Sequence, residues 1–159
     1  MMLSDLERLI GIEEIKKLKG QRIRAMDEKR WDEYESLHVP DHVSETYGGG
    51  EPAVGAKENV ERLKKVLGHI TSVHHAHQPE ITITSADTAE GIWAMEDMLF
   101  WKQGAEDHWL HGYGYYHERY RKTADGWRFC YRKLTRLHVR TSEGAVLGEL
   151  NSGDDSKAA

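Results

Sequence analysis

The chain holds a single cysteine, Cys130, among 159 residues, so an intrachain disulfide framework is excluded. A lone thiol is read as a small core or sheet residue, because free cysteine is usually buried and inert. No stretch approaches the ~18 consecutive apolar residues of a membrane span. No charge block of one sign is long enough for a nucleic-acid patch; 22 basic residues face 27 acidic ones, net −5. The opening "MMLSDLERLIGIEEIKK" lacks a basic start followed by an apolar run, so no secretory signal is expected. There is no internal repeat and no linker-like stretch. The expectation is a soluble cytoplasmic protein that binds neither nucleic acid nor membrane. Its hydrophobic content of 38% suits one compact domain, which buries roughly 70% of the unfolded surface at this length. We place that domain at 1–141 and expect the small, polar residues 142–159 to fray.

Hydrophobic periodicity places the helices first. Ser4 and Glu7 form a capping-box pattern, and Gly11 is read as a break before a helix over 13–30. At about 100° per residue, Ile12, Leu18, Ile23 and Met26 share a stripe, with Arg22 unexpectedly near its middle, Lys19 on it and Asp27 at its edge. "WDEYESL" (31–37) reads as a second helix ended by Pro40, 41–48 as a short strand, and the Gly-rich 48–55 as a loop. Residues 56–70 form an amphipathic helix. The period then changes to two. Strands are expected over 71–84, with Pro79 marking a bulge or edge, and over 88–103, 107–122 and 126–140, with "ADG" as a hairpin turn. Helices followed by long antiparallel strands argue for α+β. Strands this long must bend, and helices over a concave sheet leave a pocket.

Alternation along 89–101 puts Asp97 in a row with Trp93, Met95, Leu99 and Trp101. A carboxylate in an apolar row asks for a partner, and burial without one would raise its pKa; a solvated edge position is the other reading. Ile92, Ala94, Met98 and Phe100 make the opposite face apolar as well. That face is expected to be covered by another subunit in a homodimer or homotrimer. In "VHHAH" (73–77), His74 points one way and His75 and His77 the other. An i, i+2 histidine pair can chelate, but a metal needs a third ligand and usually a fourth. No completing motif is visible, so no metal and no cofactor are expected.

"IEEIKKLKGQRIRAMDEKRWDEY", "HHAHQPEITI", "GIWAMEDML" and "GYYHERYRKTADGW" resemble, in order, the landmarks of the SnoaL-like, nuclear-transport-factor-2-like superfamily, most of all its bile-acid 7α-dehydratase branch. The resemblance runs from about Leu6 to Arg140. It implies a cone-shaped barrel of a strongly curved antiparallel or mixed sheet, with N-terminal helices over its concave face and a deep apolar pocket. It also implies a metal-free His–Asp pair, carried here by His74 and Asp27, with Asp97 as a second acid. Arg22 stands where the bile-acid enzymes have Tyr and the dehydrochlorinases Lys. A guanidinium is always charged and cannot act as a neutral proton donor.

The expected function is a cofactor-free, dehydratase-type lyase. His74 removes a proton, Asp27 orients it, Asp97 protonates the leaving hydroxyl and Arg22 stabilises negative charge. Trp93, Met95, Trp101, Tyr113 and Tyr116 would wall a hydrophobic polycyclic or aromatic substrate, ordinary core packing being the other reading. An isomerase or polyketide-cyclase-like enzyme using the same pair stays open. So does a non-catalytic binding or assembly module of the same fold.

Overall fold

The computed structural model describes residues 3–45 and 50–147. Two helices open the chain, α1 (Asp5–Asp27) and α2 (Trp31–Ser36). Strands β1 (His38–Glu45) and β2 (Ala53–Val54) follow, then α3 (Ala56–Leu67). Four long strands complete the fold: β3 (Thr71–Ile83), β4 (Thr88–Gln103), β5 (Glu106–Thr123) and β6 (Gly126–Thr141). The six strands form one sheet in the order β2-β1-β6-β5-β4-β3. Strand β1 runs parallel to β6, and the other neighbouring pairs are antiparallel. The α+β class and the mixed sheet agree with the sequence reading. Among the described residues the sheet does not close into a barrel, with β2 and β3 at its edges. Among the described residues no helix is long and apolar enough to cross a membrane.

The capping box forms: the Glu7 amide donates to Ser4 Oγ at 3.3 Å and the Ser4 amide to Glu7 Oε2 at 2.7 Å. Gly11 does not break the helix, contrary to expectation. A β-carbon there would lie 3.2 Å from Ile83 Cδ1, so the glycine lets an unbroken α1 press onto the end of β3. The buried stripe of α1 is Ile15, Leu18, Lys19, Arg22, Ala25 and Met26. Both cations noted in the sequence are therefore inside. Pro40 does not end α2 either. It lies within β1, where the ladder to β6 is interrupted between His38 and Val43 and an N–H is not needed. The bulge expected at Pro79 occurs in edge strand β3, between His77 and Glu80, with Gln78 at φ +39°.

Side chains alternate inward and outward along β4 and β5. One apolar cluster joins Ile15 and Leu18 to Trp93, Tyr116 and Phe129. A second joins Met26, Tyr34 and Val60 to Leu99 and Trp101. Leu147 belongs to that second cluster and is 4% exposed, so the first residues after Thr141 pack rather than fray. Residues 148–159 lie outside the described ones, as do 46–49 of the expected strand and Gly-rich loop.

Candidate active site

The C-terminal end of α1 brings Asp27 against β3. Its Oδ1 accepts from His74 Nδ1 at 2.6 Å and from the Ser72 hydroxyl at 2.9 Å. Its Oδ2 accepts the backbone N–H of His74 at 2.8 Å. Lys29 Nζ donates to the Ser72 hydroxyl at 2.8 Å. Burial alone would raise the Asp27 carboxyl. The bonds and charge of His74, helped by Ser72, outweigh it and hold the group below its ordinary value. A carboxylate only accepts, so the proton on His74 sits at Nδ1. Its Nε2 has no hydrogen-bond partner among the described residues. Asp27 thus holds the Nδ1 side of the ring and leaves Nε2 as the nitrogen turned away from it, in a side chain 7% exposed.

Strand register sets Asp97 directly opposite His74, a position whose β-carbons are about 5 Å apart on one face. Asp97 is 4% exposed. Both its oxygens accept from Arg136, each at 2.7 Å, a bidentate charge-assisted pair. Gly112 makes the room. A β-carbon there would fall 2.1 Å from Arg136 Nη1 and 2.3 Å from Asp97 Oδ1. Asp97 thus has the partner that its place in an apolar row called for, the Arg136 guanidinium, which occupies both of its oxygens.

Arg22 faces another layer. Its Nε donates to His38 Nε2 at 3.1 Å and its Nη2 to the Tyr34 hydroxyl at 2.5 Å. His38 Nδ1 donates to the Tyr34 carbonyl at 2.7 Å. Burial and the neighbouring Arg22 charge keep His38 neutral, and push His42 down to about 3. Among the described residues Arg22 Nη1 has no hydrogen-bond partner, and the buried His42 ring has only a weak one in the Phe129 backbone. Beside them Lys19 Nζ meets Glu118 Oε1 at 2.5 Å and lies 3.8 Å from the Tyr116 ring centre. Burial lowers Lys19 to about 7 despite Glu118. Burial would raise Glu118, but Lys19, Arg22 and the Tyr120 hydroxyl hold it down.

The structure thus unites Asp27 with His74, and His74 with Asp97, but hydrogen-bonds Arg22 elsewhere. Trp93, Met95, Trp101 and Tyr116 face inward with Asp97. Tyr113 does not: alternation places it on the outer face, 40% exposed and stacked on His138. Lys19, Arg22 and Tyr34 are buried between α1, α2 and the sheet, so the interior there is not purely apolar. Two concavities stand elsewhere. One of about 450 Å³ is bordered by Ser36, His38, Pro40 and Lys57, and one of about 190 Å³ by His69, Trp101 and Leu147.

Sequence reasoning missed Ser72, Glu118 and Arg136. Ser72 and Glu118 obey the same alternation that exposed Asp97, Ser72 two residues before His74 and Glu118 between Tyr116 and Tyr120. Arg136 gave no such signal, because the β5–β6 register shifts between Tyr113 and Gly114.

The sequence profile of the SnoaL-like domain matches residues 7–133. The chain belongs to the SnoaL-like family. Solved structures with this fold include a provisionally assigned scytalone dehydratase from Novosphingobium aromaticivorans, 18% identical, with a TM-score of 0.75 over 95% of this chain and 97% of that one. A type 2 hexachlorocyclohexane dehydrochlorinase is 19% identical, with a TM-score of 0.77 over 89% and 95%. A type 3 enzyme of that name from Novosphingobium barchaimii is 17% identical, with a TM-score of 0.75 over 89% and 97%. At these identities the likeness establishes the fold of this SnoaL-like chain.

Proposed function

We propose that this SnoaL-like protein is a cofactor-free lyase catalysing a dehydratase-type elimination through His74 and Asp27. The observation that carries the reading is the Asp27 carboxylate. It binds the ring and the backbone amide of one histidine, at 2.6 and 2.8 Å, and leaves that ring's Nε2 free. Nε2 removes a proton α or vinylogous to a substrate carbonyl, and Asp27 stabilises the imidazolium. With Asp97 committed to Arg136, the departing hydroxyl takes its proton from that same imidazolium on the same face. Water leaves and His74 returns to its neutral tautomer. Arg136, oriented by Asp97, stabilises the negative charge that develops between the two proton transfers.

The related folds whose names are dehydratase and dehydrochlorinase support elimination. The sequence resemblance to bile-acid 7α-dehydratases adds a hydrophobic polycyclic or aromatic substrate. Arg22 Nη1, buried without a hydrogen-bond partner among the described residues, suits an oxygen of such a substrate. Binding there needs the side chains buried between α1 and the sheet to part, a shift toward an open state that the ligand favours.

Isomerisation or cyclisation by the same pair is the second reading. The lack of a separate carboxylic acid for the leaving group favours it. Product mass decides, since loss of water marks a dehydratase and unchanged mass an isomerase. His74→Ala is expected to abolish turnover with the circular dichroism spectrum intact. Full activity in that variant would remove the pair from the mechanism, and no turnover in the wild type would leave a non-catalytic binding module. The outer sheet face, where Ile92, Phe100, Tyr113 and Tyr115 are 37–40% exposed, is read as the interface of a homodimer or homotrimer. Light scattering that gives a monomer at micromolar concentration contradicts this.

A further inference from the structure

The two outward histidines of "VHHAH" gain a partner that the sequence did not reveal. His75 is paired across the ladder with Glu96 of β4. Glu96 follows the alternation opposite to Asp97 and so faces outward with them. Its Oε1 lies 3.0 Å from His75 Nδ1 and 3.4 Å from His77 Nε2. All three ligand atoms fall within 4.8 Å of one another. A tetrahedral ion with bonds near 2.0–2.1 Å requires ligand atoms about 3.3–3.4 Å apart. Two of the three edges are therefore at or near that spacing. The third closes by small rotations of rings that are 48% and 53% exposed.

We propose that His75, His77 and Glu96 form a binding site for a divalent late-transition-metal ion of the zinc class, on the sheet face opposite His74. Two imidazoles and one carboxylate suit such an ion and leave its fourth position open to solvent. The three ligands occupy consecutive outward positions on two hydrogen-bonded strands, so the backbone fixes their spacing. The nearest positions on the rows above and below are Val73 and Met98, and Ala94 and Tyr115, all uncharged; His111 and Arg140 stand farther along the row of Met98. The site also lies where the sheet is weakest. Strand β3 is an edge, and its ladder breaks just after His77. An ion here staples the edge strand to β4 at its last regular pair, on the reverse side of the strand that carries His74. Because it binds the folded chain and not the scattered ligands of the unfolded one, it stabilises the fold by mass action.

The test is titration of the metal-stripped full chain with Zn²⁺ at pH 7.5, competed against a chromophoric zinc indicator. One tight equivalent is expected, and Zn²⁺ is expected to raise the Tm. His75→Ala, His77→Ala and Glu96→Gln should each weaken that equivalent by roughly a hundredfold, at least the loss seen when a ligand's supporting partner is removed, and should abolish the Tm response. These side chains are exposed, so the folds should survive, as circular dichroism checks. His111→Ala, on the same face, is the control for the other histidines, of which the chain has ten in all. Co²⁺ in place of Zn²⁺ should give the intense visible bands of a four-coordinate site. Absence of a tight equivalent overturns the proposal. So does zinc binding unchanged in the His75→Ala/His77→Ala double variant, or zinc binding lost in His111→Ala instead.

Discussion

Replacing Asp27 by Asn keeps the shape of the side chain and removes one acceptor. The carboxylate now receives three donors: the His74 ring and the Ser72 hydroxyl at Oδ1, and the His74 amide at Oδ2. An amide has one oxygen and one NH₂. With its oxygen at the Oδ1 position, the NH₂ opposes the His74 N–H, donor against donor, and leaves that amide unsatisfied at about 1–3 kcal/mol. With the amide flipped, the NH₂ faces His74 Nδ1, which must then accept. The proton moves to Nε2, and the base is lost. Either outcome costs function, and the flipped one costs little stability. The expected loss in kcat is roughly 10²–10⁴-fold, the range of a misplaced general base. Two assays check it. Turnover is followed by product mass across a panel of hydroxylated polycyclic and aromatic carbonyl compounds. The tautomer of His74 is read directly by ¹⁵N chemical shifts, with protonated Nδ1 in the wild type and protonated Nε2 in Asp27→Asn. Wild-type turnover in the variant would refute the reasoning, as would an unchanged tautomer without the stability loss of about 1–3 kcal/mol that the unflipped amide brings.

The Asp27 carboxyl is held below its ordinary value in the fold. Its stabilisation is therefore full above the unfolded pKa of about 4 and is lost as pH falls through the folded value; urea titrations should show Asp27→Asn missing this acid-side loss. Glu118→Gln strips the buried Lys19 of its counter-charge beside Arg22 and should cost roughly 3–5 kcal/mol in urea unfolding, while Lys19→Met/Glu118→Leu should cost much less. Since burial sets Lys19 near 7 and an unfolded lysine titrates near ~10.4, the unfolded chain binds the extra proton between these values. Wild-type stability should rise with pH across that window, and Lys19→Met should flatten the rise. Gly112→Ala drives a methyl group into the Asp97–Arg136 pair; unfolding should show a cost of about 1–3 kcal/mol, with kcat falling more than KM rises. Tyr113→Ala should leave turnover unchanged and weaken self-association by light scattering, because its ring faces outward.

Much of the frame was legible because periodicity is local. The change from period 3.6 to period 2 near Ile70 located the helices and the long strands, and alternation alone separated His74 from its two neighbours. The misreadings share a cause. Gly11, Pro40 and Tyr113 were judged by residue type or family position, whereas the fold judges them by what lies across from them: Ile83 over Gly11, an interrupted ladder at Pro40, and a sheet face turned outward at Tyr113. Lys19 shows the converse. It looked like an imperfection in the stripe of α1, and it is 1% exposed. A charged residue at a core position is more informative than the apolar residues around it, because its burial requires a partner. Arg136 could not be found this way. Its place opposite Gly114 depends on the extra residue Leu137 in β6, where the β5–β6 register shifts, and register across strands is a tertiary quantity.

That register also decides between the two roles open to Asp97. An unpaired carboxylate in an apolar row is pushed toward protonation and can serve as an acid. Asp97 instead accepts two hydrogen bonds from a single guanidinium, which occupies both of its oxygens. The glycine opposite it reinforces this, since any side chain at Gly112 would enter the pair. Three positions on three neighbouring strands, Asp97, Gly112 and Arg136, thus build one ion pair whose carboxylate lies opposite His74 in the ladder, and the proposed mechanism uses its guanidinium. A base with a cation beside it removes a proton and stabilises the resulting anion without a second acid. This is the reason to assign the proton of the leaving group to His74 itself, and it makes the variants distinguishable. Asp97→Asn should lower kcat by misorienting Arg136 while leaving the acid limb of the pH–rate profile in place. If Asp97 were the proton donor, that substitution would abolish the opposite, alkaline limb, where a donor loses its proton.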